Sequence, residues 1–329
     1  MWDNIKGHQQ NKEFLKSLLQ GGRSTPSLLF YGPEGVGKRL LAKAFAKSFL
    51  CLGNPLEPDN CRSCHAMDAG THPDLVQVAQ LAPGKELLIE QIKDMARQAA
   101  YAPTMSTHKV CIIDGADFMK APAANSLLKL LEEPPEYWLF ILIATDINKL
   151  LPTILSRVIQ RRFTGLEDRD VAAILAEHQV EHPEELARLA AGSPGKALAY
   201  QQADALMWRE RALNVLENAG NPAIMDFIGN LEWLDKVGNQ DGLTFLEMFS
   251  LLLRDGLFLK DGTKCQFFNI DLEPRLEQCF KLWTTGQIEK TILWTGESYR
   301  GIRARCASKS VIEALIVKIS LMGKEQDRD

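Results

Sequence analysis

An excess of positive charge, long apolar runs and a regular cysteine framework are all missing from these 329 residues. Lys and Arg total 38 against 42 Asp and Glu, a formal net charge of −4. No overall basic field therefore draws the chain to nucleic acid, and any contact with DNA is expected to be local or shared with partners. No apolar run approaches the roughly 18 residues of a membrane span. The opening MWDNIKGHQQNKEFLKSLL lacks the basic stretch and apolar core of a secretory leader. No membrane role is expected, and the expected location is the cytoplasm. Seven cysteines are an odd number, three clustered and four scattered, which favours reduced thiols and a metal site over disulfides. Among Cys111, Cys265, Cys279 and Cys306 no histidine partner is evident, so none is expected to be a nucleophile.

What is present is the composition of an ordinary globular chain, 46% hydrophobic and 24% charged, long enough for two or three domains. The first half alternates short apolar runs with longer helical patterns. SLLFYG (27–32), DLVQV (74–78), KVCIID (109–114) and WLFILIAT (138–145) predict parallel strands buried on both faces, and QRRF (160–163) closes the series. Helices are predicted over 37–50, 87–99 and 120–133, the last stopped by Pro134 and Pro135. Residues 1–164 thus predict an α/β domain with a parallel sheet of about five strands covered by helices. Three short amphipathic patterns, 166–178, 182–192 and 195–202, predict a small helical domain over 165–205. From 206 to 329 only long helical periodicity remains, an all-helical third domain with a polar tail. Its Trp208, Trp233, Trp283 and Trp294 fall at apolar helical positions without interleaved basic residues, which predicts core packing over base stacking. Arg161 and Arg162 predict charges at a strand edge, not a DNA patch.

Between the first strand and the following helix lies GPEGVGKR, Gly32 to Arg39. The glycines Gly32 and Gly37 and Lys38 fit the phosphate-cradling pattern G-x-x-x-x-G-K-[ST] in its required strand-to-helix context, with Gly35 a third glycine in the loop. There, backbone N–H groups would cradle phosphates and Lys38 would reach them. The residue after the lysine should carry a hydroxyl for magnesium, and Arg39 has no acceptor atom at all. The second half of a hydrolytic site would be an acidic pair ending an apolar strand. KVCIIDG supplies Asp114, but Gly115 stands where a base for the attacking water is expected. The two defects predict a degenerate nucleotide site, with ATP binding in doubt and hydrolysis by this chain alone not expected.

ANSLLKLLEEPPEYWLFILIAT, LPTILSRV and GSPGKAL together resemble the clamp loader branch of the AAA+ ATPases over roughly residues 1–205. The resemblance implies an AAA+ module followed by a helical collar. It implies a place in a pentameric ring with motor (tau/gamma) and delta subunits, acting through the assembly on a sliding clamp and primed DNA. By the same resemblance Thr145 stands at the first sensor position. Ser156 and Arg157 match the family's Ser-Arg-Cys motif with Val158 in place of cysteine, so that Arg157, near the far end of a short helix begun by Pro152 and pointing outward, would enter the ATP site of a neighbouring subunit. The second sensor arginine is replaced by Gly195, with Lys196 adjacent on a different helix face. The implied function is a subunit that does not hydrolyse ATP but lends its arginine in trans. The alternative is an autonomous ATPase with a divergent magnesium site.

Cys51, Cys61 and Cys64 form C-x9-C-x2-C in an insertion rich in turn residues. Thiolates two residues apart can share one zinc ion, and structural zinc takes four ligands. The resembling family often has a fourth cysteine here. Asp59, His65 or His72 would complete the site in this chain, and three reduced thiols in a loop are the alternative. A catalytic zinc is not expected, because no general base accompanies the ligands.

Overall fold

The computed structural model describes residues 2, 5–21, 26–58, 60–82, 84–219, 223–262 and 267–324. Packing groups the chain into two units, Met1–Asp170 with Gly192–Gly195, and Val171–Ala191 with Lys196–Asp329.

In the first unit the elements run α1 (Gln9–Gln20), β1 (Leu28–Tyr31), α2 (Lys38–Leu50), α3 (Arg62–Asp68), β2 (Leu75–Ala79), α4 (Ile89–Ala99), β3 (Lys109–Asp114), α5 (Ala121–Glu132), β4 (Trp138–Ala144), α6 (Pro152–Leu155) and β5 (Ile159–Arg162). The strands form one parallel sheet in the order β2-β3-β4-β1-β5. Alternate side chains of the inner strands enter opposite cores, as a period of two requires. Phe30, Ile112 and Ile141 join Leu41, Phe45 and Phe49 of α2 on one face. Leu29, Ile113, Phe140 and Leu142 meet Ile92 and Met95 of α4 and Leu127 of α5 on the other.

All five expected strands are present, but burial on both faces holds only for the inner three. β2 and β5 are the sheet's two edges. Gln77 is exposed, and three of the four residues of β5 are exposed as well. Arg161 and Arg162 do stand at a strand edge. Arg161 lies over the Phe14 ring and donates from Nε to the Asn11 side chain, while the Asn11 amide donates to the Arg162 carbonyl at 2.9 Å.

In the second unit follow the rest of α7 (Asp168–Glu177), α8 (Pro183–Leu189) and most of α9 (Pro194–Gln202), then α10 (Ala205–Glu217), α11 (Ile224–Gly229), α12 (Asn239–Asp261), α13 (Glu273–Phe280), α14 (Thr285–Arg303) and α15 (Ser308–Lys324). The long α12 packs against α10 and α14, and α15 against α14. Trp208 meets Trp233 edge to face at 5.5 Å and Phe245 at 6.5 Å, and Trp283 packs on Phe280. Trp294 is flanked by the ammonium groups of Lys290 and Lys318. Arg209 is buried between Glu185 and Asp271, each at 2.9 Å, a pairing that offsets the cost of taking the guanidinium out of water. No helix among the described residues is long and apolar enough to cross a membrane.

Candidate functional site

Parallel strands in register end together, and an open α/β sheet presents its site at the carboxyl ends of its strands. Here Tyr31 pairs with Ala144 and Asp114 with Ile143, so Gly32, Asp114 and Thr145 come to one edge of the sheet. Gly32 has φ 142°. A Cβ there would lie 2.1 Å from the Phe163 carbonyl oxygen, so only glycine lets the loop leave β1 this close to the chain after β5. Tyr31, Gly32, Pro33, Thr145, Asp146 and Arg162 line an open cleft of about 440 Å³ beside the loop.

The loop's polar groups are turned on one another. Lys38 is buried, and its Nζ donates to the carbonyls of Gly32 at 2.7 Å and Pro33 at 2.5 Å. Burial pulls its pKa below the ordinary lysine value, against the opposing pull of Asp114, Asp117 and Glu34. Arg39 Nη1 stands 3.5 Å from Asp114 Oδ2. The guanidinium thus pairs with the carboxylate that a metal ion would share with a hydroxyl at this position. The Ser193 hydroxyl donates to the Glu34 carbonyl at 2.9 Å and the Gly195 N–H to the Gly35 carbonyl at 3.0 Å. A Cβ on Gly195 would come within 2.9 Å of the Gly35 Cα, so no arginine fits that slot while the segment lies on the loop. On the loop's other flank His8 Nε2 donates to the Val36 carbonyl at 2.7 Å, and burial lowers the pKa of its ring. As placed, these residues offer a magnesium ion no hydroxyl after Lys38, and Asp114 already faces the Arg39 guanidinium.

Asp117 is the residue here that sequence reasoning missed. It is buried, and its Oδ2 accepts from the Thr145 hydroxyl at 2.5 Å and from the N–H groups of Thr145 and Asp146. Thr145 therefore lies just past the end of β4 with its hydroxyl already committed to Asp117. Its signal in the sequence, for Asp117, is a second acid three residues after Asp114 in DGAD.

Arg157 follows the one-turn helix α6, begun by Pro152 at its first position. It does not point freely outward. Nη1 donates to the Thr153 carbonyl at 2.9 Å and the Ser156 hydroxyl at 3.1 Å, and Nη2 pairs with Glu132 Oε1 at 2.8 Å. The tight end of α6 turns the guanidinium back toward the last residue of α5. Its side chain stays 34% exposed.

The three cysteines of the insertion do come together. Cys51 and Cys61 sulfurs are 4.0 Å apart and those of Cys61 and Cys64 3.6 Å. Tetrahedral zinc with Zn–S bonds of about 2.3 Å sets sulfurs roughly 3.8 Å apart, so the trio matches one face of such a site. Cys61 caps α3, its sulfur accepting from the Cys64 N–H. Burial and the neighbouring sulfurs push the Cys64 thiol up, which metal binding would reverse. Among the described residues, the group within mutual ligand distance holds these three sulfurs alone. His65 is not in it, and Asp59 lies outside the described residues. His72 is excluded by its bonds: Nδ1 accepts from the Asp74 N–H, and Nε2 meets the Ser63 hydroxyl at 2.9 Å. Because Ser63 donates its proton to the Leu50 carbonyl, His72 Nε2 must donate to Ser63. This is the reverse of nucleophile activation, and the pair is a buried tie. Cys111 lies buried in β3, and burial raises the Cys279 thiol to about 11, so both stay protonated at neutral pH.

A sequence profile of the family described as "DNA polymerase III, delta subunit" matches residues 7–167. The DNA polymerase III subunit delta' of Bacillus subtilis (strain 168) is 28% identical over 319 residues, 93% of this chain and 94% of that protein. The chain belongs to the DNA polymerase III delta-prime family. The delta' subunit of Pseudomonas aeruginosa is 33% identical over 206 residues, 60% of this chain and 62% of that protein. The tau/gamma subunit of Haemophilus influenzae is 33% identical over 226 residues, 65% of this chain but 32% of that protein. The Bacillus subtilis relative is matched over nearly its whole length, while the chain spans only about three fifths and a third of these last two relatives. A gamma subunit-related protein of Thermotoga maritima aligns with a TM-score of 0.53 at 18% identity, over 94% of this chain and 99% of that one. That likeness shows the fold, the AAA+-like parallel sheet followed by helices that the sequence implied.

Proposed function

We propose that this chain is the delta-prime-type subunit of a DNA polymerase III clamp loader that hydrolyses no ATP itself. It assembles with motor (tau/gamma) and delta subunits in a pentameric ring and lends Arg157 to the ATP site of an adjacent motor subunit. Residues 206–329 serve as its collar. ATP-driven placement of a sliding clamp around primed DNA is the product. The observation that carries this reading is Arg39 paired with Asp114, a cation of the chain itself where a hydrolytic site needs magnesium. Arg157, fixed along Nη1 and one-third exposed, supports the other half. A guanidinium supplied in trans neutralises charge on the γ-phosphoryl group in the transition state and is worth about 10³–10⁵ in rate. The residues of the cysteine trio fit zinc, and we assign them a structural ion that ties α3 to the end of α2.

The deciding experiment is ATP hydrolysis, stimulated by clamp and primed DNA, by a ring reconstituted with motor and delta subunits. Arg157→Ala is expected to assemble normally by gel filtration and to lower turnover by at least tenfold at the affected site. Unchanged turnover in an assembled ring would remove the trans-acting role.

A further inference from the structure

The pair formed by Arg157 and Glu132 is placed at a cost. Glu132 is the last residue of α5 and Glu133 follows at its cap, so two carboxylates sit at the end of a helix whose unsatisfied carbonyls already make it negative. Pro134 and Pro135 follow directly and cannot carry the helix on past them. Acids at this end are unfavourable unless a cation answers them, and Arg157 answers Glu132 at 2.8 Å. The pair gives little back to folding, because both side chains are substantially exposed, 34% and 49%, and such pairs contribute little to stability. An arrangement that costs the helix and adds little to the fold points to a site.

The geometry shows what it does. Nη1 is held by Thr153 and Ser156, and Nη2 by Glu132. No partner reaches Nε among the described residues. Two nitrogens are fastened to the protein, and the Nε edge of the fork is left to an outside acceptor. Arginine is among the most rotamer-rich side chains, so without these bonds much of its freedom would be lost only when a phosphate arrived.

We propose that Glu132 is a positioning residue, which holds the Arg157 guanidinium in place before the neighbouring subunit's phosphate reaches it. This rests on the trans-acting reading of Arg157. Because Glu132 also balances the guanidinium's charge, the arginine adds little grip on bound ATP. Its effect grows as charge develops in the transition state, so the loss should fall on kcat and not on KM.

The test uses the full chain in the reconstituted ring, with kcat and KM for ATP measured for wild type, Glu132→Ala, Glu132→Gln, Arg157→Ala and the double variant. Glu132→Ala is expected to lower kcat roughly tenfold, within the range that small misplacements produce, with KM and ring assembly unchanged. Glu132→Gln should fall between, since its amide oxygen still accepts from Nη2 without the charge. The double variant should match Arg157→Ala alone. Wild-type kcat in Glu132→Ala beside a damaged Arg157→Ala would overturn the positioning role and leave the trans-acting reading standing. The same loss from Glu132→Ala in the Arg157→Ala background would overturn it too, by showing an independent structural effect. If Arg157→Ala itself turns over normally, the trans-acting reading fails and the positioning role falls with it.

Discussion

Arg39 decides more than any other single residue. Its guanidinium sits 3.5 Å from Asp114 and leaves no hydroxyl to share a metal. Arg39→Thr removes the competing cation and restores the hydroxyl in one change. It is expected to give magnesium-dependent binding of a fluorescent ATP analogue tighter than that of the wild-type chain, read by titration with and without magnesium. No gain would mean that the bonds from Ser193 and Gly195 to Glu34 and Gly35 close the loop unaided. The histidines make a second residue-scale prediction. Burial holds His8 and His72 below the ordinary value of 6.5 in the folded chain. The unfolded chain then takes up protons first as pH falls, so the stability these two rings contribute is present above about pH 6.5 and declines below it. Urea unfolding midpoints should drop between pH 7 and pH 5.5, with a shallower slope in His72→Gln. An equal slope in that variant would remove His72 from the account. At this scale the sequence showed which residue types were wrong for hydrolysis, since Arg39 and Gly115 are chemically unsuited wherever they point. It did not show Asp117 taking the Thr145 hydroxyl or Glu132 taking Arg157, because those partners lie 28 and 25 residues away along the chain and are set by packing.

Among the elements, the inner strands and the helices after them were legible because continuous apolar runs and 3.6-residue periodicity follow directly from burial. α1 and α3 were not. α1 turns only Asn11, Leu15 and Leu19 inward and starts from His8 in a left-handed conformation with φ 54°. α3 is seven residues long with Ser63 and Cys64 buried, too short for periodicity to register. Its N-terminal cap is a cysteine sulfur, a weak acceptor compared with the oxygens preferred there. That weakness is a reason to expect the element to depend on the proposed zinc ion. Stripping the purified chain with a chelator is expected to release one zinc per chain and lower the thermal midpoint by several degrees. Cys61→Ser should contain no zinc and show no further drop with chelator. Metal content at zero in freshly purified wild type would leave the thiols as a buried cluster only.

For the molecule as a whole, both expectations of class held: a covered parallel sheet, then helices. Chain length and texture carry that information because each unit must bury its own core. The proposed role in an assembly is less visible in any one chain, since the group on which Arg157 would act lies in another subunit. The sheet's outer margin has a different consequence, one for solubility. β5 pairs with β1 on one side only, and a bare strand invites another chain to add to it. Asn11 takes up the outward carbonyl of Arg162, and Arg161 is drawn over Phe14, so α1 works as a cover over that margin. Asn11→Ala leaves the carbonyl without its donor. It is expected to keep the fold by circular dichroism yet scatter light at lower protein concentration on warming. On this reading the first helix guards the sheet's open edge against pairing with a second copy of the chain.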